Sequence, residues 1–517
     1  MKHLTLTALA APLALAFCAC GGGPTPAPTS TPAPAPASEP VAAPMTAPAA
    51  AGPDRSAGPP LEAKAPVWHP PAVSTWQMPN GMTVWYLQQT QAPLMSLQLV
   101  FPHGASADPK GKEGLTALTA DMLDEGAGDR SALELSEAFQ RLATDYGAQT
   151  ATDAVIVSLD MLAENLGPSL ELLVDVLRHP KLPADEFARR KDQRMARALA
   201  SEADPHSAAT VALRRALFGD GYGGRPADGV RGTIETLTLT DVRKQYKALF
   251  QPQGVTIVAV GAVDAEHVKA ALDGAFGDWK GKPVAKARTV SKALPMRAVY
   301  LVDFPGSSQS MVTVARRVPG VQGTDDEFAA LLFNWPLGGA FSSRLNLNLR
   351  EDKGYTYGAR AGFNRWRAAG FYGLSAGVKA DTTRPSIDEM LKELAAASGD
   401  RPITAHEREE AVGGLLLGFP GRFESMGGVA GQLAGLVLDQ RPPDWYRGWP
   451  ERVQSTTLEE VNAAAKRWAG APDAYIIVVA GDRTSLEPTL ASLGLPILPY
   501  DAQGSPLPTK AAAKSAR

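Results

Sequence analysis

Two distant stretches of this 517-residue chain read alike, and the repeat constrains the fold more than any other feature. Leu239-Thr-Asp-Val242 opens a helix to Phe250, followed by the strand pattern Val255-Thr-Ile-Val-Ala-Val-Gly261. Leu458-Glu-Glu-Val461 opens a helix to Trp468, followed by Tyr475-Ile-Ile-Val-Val-Ala-Gly481. With Val242 laid on Val461, the closing glycines fall within one residue of register. The same order of elements twice over predicts two homologous α/β units.

The first unit opens on Asn80-Gly81, a hairpin signal between Trp76–Met78 and Thr83–Leu87. Ser96–Phe101 and Ala154–Met161 read as further strands. Helices are expected over Glu113–Asp124, from Ser131, over Pro168–Leu177 and over Pro183–Glu202. Ser131 with Glu134 makes a capping box. The second unit opens with strands at Ala298–Val302 and Ser310–Ala315. Hydrophobic residues make up 44% of the chain, enough for real cores.

Outside the units the composition changes. Lys2 and His3 precede the apolar run Leu4–Phe17, too short to span a bilayer and suited to a signal peptide, residues 1–19. Cys20 follows Ala19 and resembles a bacterial lipoprotein processing site. Residues 20–65 are rich in Pro and Ala and cannot pack a core, so they read as a lipid-anchored tether. The units are placed at 66–284 and 285–500, with a flexible tail at 501–517. Both cysteines, Cys18 and Cys20, lie in the leader region, which leaves the folded part without a disulfide or a thiolate metal site. A net charge of −3 gives no basic field for nucleic acid.

Candidate chemistry lies in Leu337–Phe363. Gly338 and Gly339 give a loop able to approach another backbone closely. Ser342 and Ser343 are suitable caps for a helix with Leu345 and Leu349 on one face, ending near Gly354. Tyr355–Phe363 alternates as a strand does. Leu337-Gly338-Gly339, Ser343-Arg344-Leu345, Leu349-Arg350-Glu351 and Tyr357 together resemble the second-half signature of the pitrilysin-like (insulinase) family of zinc peptidases. The resemblance implies that Arg350 and Tyr357 reach a substrate peptide held on zinc across a cavity. It also implies substrate contact for Gly338, Gly339 and Phe341. Tyr355 is a rival to Tyr357, two residues too close to Arg350 for the family's spacing.

Catalytic members of the family carry His-x-x-Glu-His on a first-half helix, with a further Glu downstream. Here the matching helix has Ala117, Ala120 and Asp121 at those positions, and the downstream ligand falls near Ala196 or Arg197. No metal is expected in this chain. The seven histidines are scattered, and in His406-Glu-Arg-Glu-Glu410 the acids are explained by a capping box of Thr404 and Glu407.

The fold expected is therefore α+β: two homologous units, each a mainly antiparallel sheet with helices on one face, forming half of a clam-shell. The resemblance implies the non-metal subunit of a heteromeric zinc peptidase, with zinc in a partner of the same family and peptide as substrate. The leader implies a lipid-anchored protein of the Gram-negative periplasm, outer membrane favoured. The competing expectation is a scaffold or peptide-binding protein of the same fold without catalysis.

Overall fold

The computed structural model of the chain describes residues 68–282, 290, 295–320 and 325–508. The leader, the tether and Cys20 lie outside the described residues.

In the first half, β1 (Ser74–Gln77) and β2 (Thr83–Gln88) form the hairpin signalled by Asn80-Gly81, with Gly81 at φ 87°. β3 (Leu94–Phe101) leads to α1 (Leu115–Asp121) and α2 (Ala132–Arg141), the latter opened by the Ser131–Glu134 box. β4 (Asp145–Thr150) and β5 (Val155–Leu162) precede α3 (Leu166–Arg178), α4 (Ala184–Ala203) and α5 (Pro205–Phe218). α6 (Arg231–Glu235), α7 (Leu239–Leu249), β6 (Thr256–Gly261) and α8 (Ala265–Phe276) complete it.

The second half starts with β7 (Val299–Asp303), β8 (Gln309–Pro319), α9 (Glu327–Asn334) and the short α10 (Arg344–Asn346). β9 (Thr356–Arg365) and β10 (Ala369–Lys379) are followed by α11 (Thr383–Ser398), α12 (Ala405–Gly418) and α13 (Met426–Leu438). α14 (Trp449–Ser455), α15 (Leu458–Ala469), β11 (Ile476–Gly481), α16 (Arg483–Leu490) and β12 (Ile497–Tyr500) close it.

The two six-stranded sheets run β1-β2-β6-β3-β5-β4 and β12-β7-β11-β8-β10-β9. From β2 and from β7 onward the orders are equivalent, strand for strand. Only the first strand of each sheet differs: β1 is antiparallel to β2, whereas β12 is parallel to β7. Within the shared part, β2/β6 and β7/β11 are parallel and the remaining pairs antiparallel.

Strand alternation sends side chains to opposite faces. In β2, Val84 and Tyr86 join the core under the first half's own helices, while Trp85 and Leu87 join a different core. That second core contains α13, which crosses from the other half onto β3 and β6. The exchange is reciprocal: α5 leaves the first half to pack on β7, β8 and β11. Leu213, Leu217 and Phe218 of α5 are buried there, each worth about 1.5–3 kcal/mol. So each sheet has its own helices on one face and a borrowed helix on the other.

The β9–β10 turn ties the halves again. Arg367 N donates to Asp153 Oδ2 at 2.8 Å, and Ala368 N donates to the Tyr222 hydroxyl at 3.2 Å. That hydroxyl donates in turn to the Asp153 carboxylate. Trp366 packs against Phe218 and Tyr222 under the Arg214 guanidinium, whose pKa burial pushes down to about 10. The start of the tail is also fixed, contrary to a loose segment from Asp501. Asp501 Oδ1 accepts from Gln503 N and Ser505 N at 3.0 and 2.7 Å, and Gln503 Oε1 accepts from Gly232 N at 3.0 Å.

Candidate functional site

On α1, Gly114 takes the N-cap position with φ 91° and has no side chain to cap the helix. Asp108 does so instead: its carboxylate accepts from Gly114 N, Thr116 N and the Thr116 hydroxyl at 2.9, 2.8 and 2.6 Å. Burial of that carboxyl pushes its pKa up to about 6. Gln245 of α7 donates to the Thr116 hydroxyl at 2.8 Å and so ties this cap to α7, while α1 also lies against α4. Ala117 and Ala120 are buried and carry no donor atom. Asp121 is held by Arg194 of α4, with Nε at 2.7 Å from Oδ2, and Arg194 also reaches Asp228 at 3.3 Å. One turn further on, the buried Glu125 is paired with both Arg189 and Arg190.

These residues do not fit zinc. A zinc site needs neutral imidazoles or anionic ligands converging on one point, and here a guanidinium approaches the single carboxylate. Ala196 and Arg197, near the expected downstream ligand, are exposed on α4. Among the described residues no group of three or more His, Cys, Asp or Glu could hold a metal. His406 lies 3.5 Å from Glu410 on α12, both exposed, and Thr404 with Glu407 forms the expected capping box.

The Leu337–Phe363 stretch departs from its expected form in detail. Instead of a loop, α9 runs on through a π-helical turn over Trp335–Gly339, closed by Ala340 N donating to Trp335 O. Gly338 is buried: a Cβ there would lie 2.5 Å from Ala361 N, so its close approach is to β9 of this chain and not to a ligand. Gly339 is held less tightly, with Asn334 O at 3.2 Å from its notional Cβ. Phe341 is 69% exposed.

Ser343 sits at the N-cap of α10, but its hydroxyl is buried without a hydrogen-bond partner. The helix start is secured instead by Arg344, which forks onto Glu407 at 2.7 Å and donates to the carbonyls of Arg401 and Pro402. A second π-helical turn, Leu347–Asp352, continues α10 and ends at Gly354, φ 64°. Leu345 and Leu349 point into the core as expected, while Leu347 is half exposed. Arg350 lies over the Phe341 ring at 4.5 Å and 3.5 Å from Glu351.

β9 is the edge strand of its sheet and carries a register shift against β10 between Ala376 and Val378. Bulges of this kind re-aim side chains. Tyr357, at the shift, is 93% exposed. Tyr355 is half-buried against the core, its N–H donating to Leu349 O at 2.9 Å. Two residues that sequence reasoning missed bind this strand. Asn346 Oδ1 accepts from Ala359 N at 2.7 Å, and Asn334 Nδ2 donates to Ala361 O at 3.0 Å. No spacing signal marks a single Asn in an apolar helix, so neither was findable without the fold.

Chemically, Arg350 and Tyr357 offer a guanidinium and a phenol hydroxyl at the surface, groups that donate hydrogen bonds to an anionic or carbonyl oxygen.

Comparison with known proteins agrees with this plan. The profile described as Insulinase (Peptidase family M16) matches residues 83–227, and that described as Peptidase M16 inactive domain matches residues 236–415. The crystal structure of a peptidase M16 inactive domain from Pseudomonas fluorescens superposes with a TM-score of 0.73 at 26% identity, over 80% of this chain and 98% of that one. An uncharacterized zinc protease of Streptomyces coelicolor is 25% identical over 70% of this chain and 80% of its own length. The non-peptidase homolog YmxG of Helicobacter pylori is 21% identical over 77% of this chain and 91% of its own. With both halves matched and the α+β plan shared, the chain belongs to the insulinase-like M16 peptidase family.

Proposed function

We propose that this chain is the non-metal subunit of a two-chain zinc peptidase, closing over the zinc site of a partner from the same family. One observation carries the reading: Asp121, where the family resemblance would put a metal ligand, is ion-paired to Arg194, while Tyr357 is exposed and Arg350 partly so. Phe341, Leu347 and Tyr357 are large side chains left 69%, 51% and 93% exposed within one short stretch. In the closed complex, Arg350 and Tyr357 donate to peptide carbonyls. A tetrahedral intermediate develops negative charge, and donors fixed in a water-poor cavity stabilise it more than solvent does.

Purification of the chain from its native source tests the partnership. The expected result is co-elution with a relative that carries His-x-x-Glu-His. Recovery only as a monomer or homodimer favours the second reading, a scaffold or peptide-binding protein. The similarity to the Helicobacter non-peptidase homolog supports that alternative.

The proposed place of the complex is the periplasm, tethered through a lipid on Cys20. No helix among the described residues is long and apolar enough to cross a membrane. Mass spectrometry of the mature protein is expected to find lipid-modified Cys20 at the N-terminus. An unmodified N-terminus at another position removes the membrane from the proposal.

A further inference from the structure

We infer that Asn346 is the positioning residue that sets Arg350 against Tyr357, by clamping the helical turn that carries one to the strand that carries the other. The inference rests on the reading of those two side chains as substrate donors.

Asn346 is only 4% exposed, and its Oδ1 receives the Ala359 N–H at 2.7 Å. The clamp lies four residues before Arg350, about one helical turn. On the strand it lies two residues past Tyr357, immediately beyond the bulge. The other flank of the bulge is fixed as well: the Thr356 hydroxyl donates to Gly377 O at 2.6 Å and accepts from Gly358 N at 3.1 Å. Tyr357 and Gly358 are thus exposed between two pinned points, and Tyr357 carries the only side chain there. Asn334 repeats the device further along, donating to Ala361 O and accepting from the Tyr372 hydroxyl at 3.1 Å.

Two asparagine side chains therefore take the place of a neighbouring strand on the β9 edge. Ala359 and Ala361 are buried beneath them, so a peptide cannot add there as a further strand. Contact at this end of the sheet is left to side chains, which makes their placement decisive. β4, the equivalent edge in the first half, has no such clamp among the described residues. Its one side-chain bond to the main chain is the Ser158 hydroxyl on Gly147 O at 3.5 Å, from the adjacent strand.

Asn346→Leu keeps the branching and heavy-atom count of the side chain and removes the acceptor, whereas Asn346→Asp keeps an acceptor oxygen. The first measurement is hydrogen exchange of the segment containing Ala359 in the full chain alone. Asn346→Leu is expected to speed that exchange at least about tenfold by local opening, and Asn346→Asp to leave it near wild type. The second is turnover of a fluorogenic peptide mixture by the complex isolated from the native source. A misplacement of about 1 Å costs on the order of 10²-fold in rate, so Asn346→Leu is expected to fall by that order with partner association intact. Asn346→Asp is expected to restore most of the rate. Asn346→Ala substitutes if the Leu variant does not accumulate.

Unchanged exchange in Asn346→Leu overturns the clamp whatever the activity. A rate lowered by Tyr357→Phe but not by Asn346→Leu overturns the inference and leaves the functional reading standing, as does an Asp variant as slow as the Leu variant. If Tyr357→Phe and Asn346→Leu both turn over at the wild-type rate, the functional reading fails and the inference with it.

Discussion

In the proposed two-chain complex, Arg350→Ala and Tyr357→Phe are each expected to lower peptide turnover about 10²–10³-fold, roughly 3–4 kcal/mol of transition-state stabilisation. The size follows from what each change removes. Tyr357→Phe deletes one hydroxyl from a ring that is 93% exposed in the free chain, so the fold loses almost nothing. Arg350 gives up a cation–π contact to Phe341, worth about 0.5–1 kcal/mol at an exposed site. Neither change reaches the core, and partner binding and zinc content should stay normal. Tyr355→Phe is the control, because Tyr355 is turned toward the core. Steady-state kinetics on the purified complex decide the matter. A wild-type rate for Tyr357→Phe, or a loss that tracks subunit dissociation, removes these residues from the chemistry.

Arg194→Ala is expected to destabilise the chain by about 3 kcal/mol, because breaking a buried pair leaves a charge without its counter-ion. Arg194 is 6% exposed and Asp121 17%, so solvent can screen the orphaned carboxylate only in part. Asp124 is close by, its own pKa pushed up to about 6 chiefly by burial and in part by Glu125 and Asp121. The double change Arg194→Met with Asp121→Leu removes both charges and is expected to recover most of the loss. Urea unfolding measures both variants. Equal midpoints for Arg194→Ala and wild type would mean that the pair does not join α1 to α4.

Sequence patterns reported the parts of this fold whose causes are local. Asn80-Gly81 marks its hairpin because a tight turn needs positive φ, and Gly81 supplies it. Ser131 and Thr404 mark helix starts because each side chain satisfies an N–H that the helix leaves over. The duplication was legible through the matched endings at Val242 and Val461, and the equivalent strand orders bear it out. β4 was passed over: Gly147 and Ala148 weaken its strand pattern, which depends on pairing with β5. α5 was also missed, although Asp204-Pro205 is a helix-start signal and Asp204 caps Ser207 N at 2.8 Å. Its crossing to the other sheet is a tertiary event that no local pattern records.

At the candidate site the motif located the residues but not their state. Spacing could not tell that Gly338 is packed on β9, that the Ser343 hydroxyl caps nothing, or that the bulge turns Tyr357 outward. The substitutions Ala117, Ala120 and Asp121 were read directly. The guanidinium that pairs with Asp121 comes from a helix more than seventy residues away in the chain, which no local pattern records.

Peptide hydrolysis by this chain alone, by the zinc-bearing partner alone and by the two mixed, with zinc counted in each preparation, tests the division of labour most directly. The expected result is no zinc and no hydrolysis with this chain alone, zinc with the partner, and rapid hydrolysis only in the mixture. A zinc held tightly by this chain, or a partner that cleaves as fast alone as in the mixture, contradicts it.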